Sequence, residues 1–382
     1  MSTLLFFAGY LSVLTLPGLA LTLCLKLRFN PVVSTIALSY ISFTLLFITA
    51  NYFDLAHQVL LIALAILLIS SVASLAVYRT RLLTELRGFL SPICTITLVS
   101  LVYQLLIGAY TEVPADLYAH LERFQIALSQ VKQDSLGNSL AIKQLLMQGS
   151  SVYYYLLATV ASQTQTTAVE IMNAVDFTNR TLFLIAIYFS ARFIFSENKN
   201  SALIAVLTCV FVILHMGINV FAYIRYYSLA PGMLNLVIYL FAISAFLWVI
   251  RKRAIIDLLL AYLLILLAAI AAAAIHLQEA MFIATILALV ALIGLSSHIR
   301  ILKLETTCSV WQAGAISLCA LVGFSIFYIT APELRAPNAH WRLWEFGEGF
   351  GVLPQLSTLN LKKEFIQVLT LWGVLVLSLI HI

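Results

Sequence analysis

The sequence predicts an all-α protein that crosses a membrane many times. Three observations point there. Of 382 residues, 63% are hydrophobic and 10% charged, against about 25% charged in a typical soluble domain. The apolar residues form continuous runs of about 20, the length that crosses about 30 Å of hydrocarbon, not the alternation of a membrane β-barrel. The basic residues collect in alternate connections between these runs. A soluble surface must carry charge, so a soluble enzyme, a nucleic-acid-binding domain, a disordered chain and a secreted disulfide scaffold are excluded. The five cysteines form no C-x-x-C pair, so neither a zinc site nor a redox motif is indicated.

The apolar runs predict about eleven spans. Four lie near 3–25, 31–50, 57–78 and 89–110. Seven more lie near 179–196, 201–221, 229–250, 254–275, 279–297, 310–330 and 365–382. The chain thus divides into a four-helix region at 1–110, a long outer loop at 111–178, a transmembrane core at 179–330, a second outer loop at 331–364 and a last helix at 365–382. That last run stops at His381-Ile382, open to truncation. Positive charges follow the first apolar run instead of preceding it, which favours a retained first helix over a cleaved signal peptide.

Orientation follows from Lys and Arg, which favour short inner loops. Lys26 and Arg28 follow the first span; Arg79, Arg81 and Arg87 follow the third; Arg192 and Lys199 follow the fifth. Arg251, Lys252 and Arg253 follow the seventh, and Arg300 and Lys303 the ninth. These twelve of the 21 basic residues put the N-terminus and 111–178 outside. The apolar stretch at 151–163 is short for a span and would break this parity if it crossed. The segment 151–178 is expected to lie along the outer interface or to dip in and return, with Tyr153, Tyr154 and Tyr155 half wet at the boundary, and two short crossings would keep the same parity.

The unusual polar residues then fall on the outer side, where ionisable groups at membrane depth suggest a functional site. Glu112 and Asp116 stand four apart around Pro114, a spacing that places two carboxylates on one helix face or at a helix start. Asp116 is either a general base or a carboxylate stabilising the helix dipole. The segment after it predicts an amphipathic helix lying on the membrane. Its apolar side is Leu117, Leu121, Phe124, Ile126 and Leu128, interspersed with His120, Glu122, Arg123 and Gln125. Arg225, with Tyr226 and Tyr227, could bind a phosphate or anchor at the interface. His276 and Glu279 share a helix face, with too few neighbouring ligands for a metal. Aromatics and glycines in 331–364 suit a mobile lid or a loop resting on headgroups. Asn179-Arg180-Thr181 matches a glycosylation sequon by chance.

Taken in order, these segments resemble the GT-C superfamily of membrane glycosyltransferases, including the dolichyl-phosphate-mannose protein mannosyltransferase-like and aminoarabinose-transferase-like enzymes. The resemblance runs from about 105 to 300. It rests on the early acidic pair Glu112 and Asp116, the following membrane-parallel helix, and Ser150-Ser151-Val152-Tyr153-Tyr154-Tyr155-Leu156-Leu157 in place of a Pro-Pro-Leu-Tyr-Tyr-like segment. It continues through a helix start at Asn179-Arg180, a basic helix end at Ala191-Arg192-Phe193, Arg225-Tyr226-Tyr227, and the outer-edge His276. The chain departs from the pattern in having four helices before the acidic loop and a Glu-x-x-x-Asp pair where the family has adjacent Asp-Glu.

The resemblance implies a GT-C-like bundle with juxtamembrane helices in the first large outer loop. It implies a multi-pass protein of the plasma (inner) membrane, with its active site on the outer face. The donor would be a polyprenyl-phosphate-linked sugar, the acceptor a glycan, lipid or protein, and the reaction inverting. Asp116 would be the base and Glu112 the second carboxylate. Arg225 and His276 would contact the phosphate, and Tyr226 and Tyr227 would line the cavity. Glu279, His120, Arg123 and Tyr154 complete the substrate-contact candidates. No cofactor is implied, though a divalent metal is compatible with the chemistry; membrane lipids are partners and nucleic acid is not. Two alternatives remain: a polysaccharide polymerase or ligase using lipid-linked sugars, and a transporter or flippase, which the near absence of charge inside the spans disfavours.

Overall fold

The structure, a computed structural model, describes residues 2–27, 29–53, 55–107, 118–133, 151–164, 166–217, 232–251, 255–275 and 283. Every regular element among them is an α-helix. In chain order these are α1 (Ser2–Cys24), α2 (Pro31–Tyr52), α3 (His57–Val77), α4 (Arg79–Ile107), α5 (Tyr118–Lys132), α6 (Ser151–Thr164), α7 (Ala168–Ile194), α8 (Ser201–Gly217), α9 (Gly232–Arg251) and α10 (Ile255–Ile275). The chain divides into two compact units, Met1–Thr330 and Ala331–Ile382; the second lies outside the described residues.

Four described helices are long and apolar enough to cross a membrane: Ser2–Cys24, Pro31–Tyr52, His57–Val77 and Arg87–Leu105. The runs Ser201–Val212, Gly232–Trp248 and Leu263–Ala272 are apolar but shorter. The expected spans at 279–297, 310–330 and 365–382 fall outside the described residues, Ile283 aside.

Local chemistry sets the helix ends. α1 closes in a Schellman motif: Lys26, in the left-handed region at φ 53, sends its N–H to the Leu23 carbonyl, and Leu27 sends its own to Thr22. Arg81 at the start of α4 donates to the same Leu23 carbonyl at 3.2 Å, a cation on a helix C-terminus. Asn30, at φ 40, turns the chain into α2, and its Nδ2 donates to Ser190 and Ser244. Pro31, which has no N–H to leave unpaired, opens that helix. Gly18 lets α1 and α2 touch backbone to backbone: a Cβ there would sit 1.8 Å from the Thr35 oxygen.

Contacts along the helices fix their directions. At one end Thr3 of α1 donates to Glu170 of α7, and Thr166 donates to the Ser2 carbonyl. Eight residues into α1, Tyr10 meets Asn179 of α7 and lies beside Tyr153 of α6. α1 and α7 therefore run parallel, while α6 runs back from the level of Tyr10 to the shared end. Of the two placements expected for the tyrosine segment, the contacts fit the one that dips in and returns, here into α7. Two expectations are corrected. Tyr153, Tyr154 and Tyr155 are not half wet at the boundary but all buried. The helix expected to start near 179 starts at Ala168, so Asn179-Arg180 is mid-helix and 168–178 belongs to α7 instead of an outer loop. The cause is a capping box, in which the Thr167 hydroxyl accepts from the Glu170 N–H and the Glu170 carboxylate accepts from the Thr167 N–H.

The amphipathic helix is present as α5, but it packs on α6. Its buried stripe is Phe124, Ala127 and Val131, whereas Ile126, expected on the apolar side, is exposed.

Candidate functional site

The described part of the site gathers around the inward face of α7. Asp176, Asn179 and Arg180 follow one another at helical spacings of three and four, which places them on one face, and all three are buried.

Arg180 is 2% exposed and every guanidinium nitrogen has an acceptor. Its Nη1 lies 3.1 Å from both Asp176 carboxylate oxygens, Nε donates to Ser100 at 3.4 Å, and Nη2 donates to the Gln104 side-chain oxygen. The Tyr103 ring lies 4.6 Å from Cζ, within cation–π range. The same Ser100 hydroxyl also bonds the Thr181 hydroxyl at 2.7 Å, as donor, since Thr181 gives its own hydrogen to the Phe177 carbonyl. A charge taken out of water needs this degree of satisfaction. The cluster therefore fastens α4 to α7, and its guanidinium is committed to that bond set.

Beside Arg180 in the helix, Asn179 joins α1 and α6: the Tyr10 hydroxyl donates to Asn179 Oδ1 at 2.9 Å, and Asn179 Nδ2 donates to the Tyr153 hydroxyl at 3.3 Å. Both ends of the Asn179 amide are thus used inside the protein. Tyr40 and Thr44, one turn apart on α2, bury hydroxyls that have no hydrogen-bond partner among the described residues. Tyr40 sits within electrostatic reach of Tyr10, Tyr153 and Tyr154. A buried hydroxyl without a partner is costly, so this spot can take a water or a ligand hydroxyl.

Tyr154 turns the other way. Its hydroxyl hydrogen-bonds His120 Nδ1 of α5, with ring centroids 6.0 Å apart, while Tyr155 donates to Gln130 and packs against Phe47, ring centroids 4.8 Å apart and planes tilted by 40°. His120 and Tyr154 border a cleft of about 40 Å³ between α5, α6 and α7, closed by Phe124, Ile171 and Met172. An imidazole bonded to a phenol can pass a proton.

Of the residues singled out in the sequence, the structure brings His120 and Tyr154 into contact. Arg123 is exposed on α5. Glu112, Asp116, Arg225, Tyr226, Tyr227, His276 and Glu279 lie outside the described residues. The sequence reading missed Asp176, Tyr10, Tyr40, Ser100 and Gln104. The T-x-x-E pattern at 167–170 is the signal that would have moved the helix start upstream and put Asp176 inside it. Among the described residues no group of three or more His, Cys, Asp or Glu could hold a metal ion. No family model, curated protein or solved structure matches this chain.

Proposed function

We propose that the chain is a membrane glycosyltransferase that moves a sugar from a polyprenyl-phosphate-linked donor to an acceptor at the outer face. The observation that supports this reading is the His120–Tyr154 hydrogen bond. It joins the helix that follows Glu112 and Asp116 to the tyrosine segment, the two pieces on which the GT-C resemblance rests. Asp116 or Glu112 would deprotonate the acceptor hydroxyl, whose oxygen attacks the anomeric carbon as the lipid phosphate leaves. Arg225 and His276 would stabilise the departing phosphate. The eleven-span bundle and the plasma-membrane location belong to the same proposal. The deciding experiment is a transfer assay over a panel of polyprenyl-phosphate sugars. Asp116→Asn or Glu112→Gln should lower turnover at least about a hundredfold, the scale of general-base loss; full activity in both variants overturns the assignment.

One observation favours a second reading. The sequence disfavoured a transporter because the span interiors carry almost no charge, yet α7 buries an Asp176–Arg180 ion pair. Intramembrane ion pairs mark substrate or proton paths as well as structural clamps. Uptake of a sugar or sugar-lipid into vesicles, abolished by Asp176→Asn with the fold intact, would favour that reading over the transferase.

A further inference from the structure

A long groove lies between α4 on one side and α1 and α2 on the other, floored by α7. It encloses about 320 Å³, within the range of small-molecule sites. It runs from Phe7 and Phe177 to Leu19, Leu82 and Pro31. On α1 alone it extends from Phe7 to Thr22, about 22 Å at 1.5 Å per residue, more than one leaflet's share of about 30 Å of hydrocarbon.

The groove is dry by construction. Thr15, Thr35, Thr97 and Thr181 line it, but each turns its hydroxyl onto the carbonyl one turn back on its own helix. Thr22 differs. It lines the same groove, is 2% exposed, and its hydroxyl has no hydrogen-bond partner among the described residues.

Charge is unequal at the two ends. Thr22 stands one turn before Lys26, which is exposed and held at φ 53. Arg79 is exposed and lies three residues before the groove residue Leu82, on the same face of α4. Arg81 ties this end of α4 to the end of α1. In the sequence the adjoining segments hold Lys26, Arg28, Arg79, Arg81 and Arg87 against one acid, Glu85. No basic residue lines the opposite end, at Phe7 and Phe177, and the Glu170 carboxylate stands two turns before Phe177 on α7, hydrogen-bonded to Thr3. An anionic head is therefore attracted to the Lys26 and Arg79 end.

We propose that this groove binds an anionic glycerophospholipid, with one acyl chain between α1 and α4, an ester oxygen accepting from Thr22, and the phosphate at Lys26 and Arg79. The acyl-ester carbonyl oxygen distinguishes this ligand from a polyprenyl phosphate, whose only ester is that of the phosphate itself. The site stands whether or not the outer-end residues transfer a sugar.

The test reconstitutes the full chain in vesicles of equimolar phosphatidylglycerol and phosphatidylcholine, releases it in mild detergent, and counts retained lipids by native mass spectrometry. Wild type should retain phosphatidylglycerol in excess. Lys26→Gln and Arg79→Gln should each cut that excess about fivefold, the equivalent of about 1 kcal/mol per basic side chain. Thr22→Val should lower retention of ester-linked phosphatidylglycerol to that of its ether-linked analogue, with an unchanged melting temperature showing that the fold is intact. A photoreactive acyl chain should label α1 and α4, and Ile93→Trp should block it. Equal retention of the two lipids by wild type, an excess that survives when Lys26→Gln and Arg79→Gln are combined, labelling elsewhere, or displacement by polyprenyl phosphate at equal concentration would each overturn the proposal.

Discussion

α3 and α7 divide their residues in opposite senses. α3 has the highest mean hydropathy of the four candidate spans, 2.8, yet Ile62, Ile66 and Ile69 are 60%, 58% and 69% exposed. Two of its four buried residues are polar, His57 and Ser71. His57 meets Thr159 of α6 at 3.2 Å, and Ser71 donates to the Leu67 carbonyl. In the middle of α7 an aspartate, an asparagine and an arginine, Asp176, Asn179 and Arg180, are buried, whereas Glu170 and Arg192 near its ends are not. In hydrocarbon an apolar side chain is as well solvated outside the bundle as inside, whereas a polar one needs a partner. On these two helices mid-span polar groups are drawn inside to partners, while much of the apolar surface of α3 faces outward.

The largest expected effect comes from breaking the α7 clamp. Arg180→Ala leaves the buried Asp176 carboxylate without its cation and should cost about 3–5 kcal/mol, read as lost yield and lowered thermal stability in detergent. Replacing both members, Asp176→Leu with Arg180→Met, should recover most of that loss, because the desolvation cost goes with the charges. If the double variant is as unstable as the single, the clamp's value lies in Gln104, Ser100 and Tyr103 and not in the ion pair.

Next is Gly18. Its N–H donates to the Ser39 hydroxyl at 2.7 Å, and an added Cβ would strike the α2 backbone at Thr35 and Ser39. Backbone cannot swing aside as a side chain does, so Gly18→Ala must part α1 from α2, at a cost of about 1–3 kcal/mol. A variant as stable as wild type would show that the two helices are held apart by something other than this contact.

How much could be read in the sequence follows the same division. The spans that became α1, α2 and α3 were legible to within about two residues, because apolar runs bounded by charge or by Asn30-Pro31 announce themselves. α7 was half missed, because Asp176, Asn179 and Arg180 lower its hydropathy where the tertiary structure supplies partners. The tyrosines were read as a boundary signal, yet Tyr153 needs Asn179, and Tyr154 needs His120. Such long-range pairings leave no local pattern. The Thr167–Glu170 capping box is local and was readable.

That box gives a smaller, pH-dependent effect. The Thr167 N–H, then the Thr167 and Thr3 hydroxyls, hold the Glu170 carboxyl below its ordinary 4.5. A depressed folded value contributes stability that is present above the unfolded value and lost as pH falls through the folded one. Wild type should therefore lose thermal stability on acidification below about pH 4.5 relative to Glu170→Gln, with the two curves converging at the acid end. Thr167→Ala should cost about 1 kcal/mol at neutral pH. A gap between the curves that stays constant across this range would remove the carboxylate from the cap.

The smallest expected effect, that of truncating Ile69, tests the comparison most directly when set beside Leu60. Leu60 and Ile69 share α3, but Leu60 is 1% exposed against 69% for Ile69. Truncating Leu60 to Ala opens a cavity among fixed neighbours and should cost about 2–5 kcal/mol. Truncating Ile69 to Ala removes atoms that lipid touches in both folded and unfolded states, and lipid refills the space, so the cost should stay within about 0.5 kcal/mol. Unfolding of both variants in bicelles decides the matter. If Ile69→Ala approaches Leu60→Ala, the outer face of α3 is packed against protein, and α3 and α7 bury their side chains by one rule.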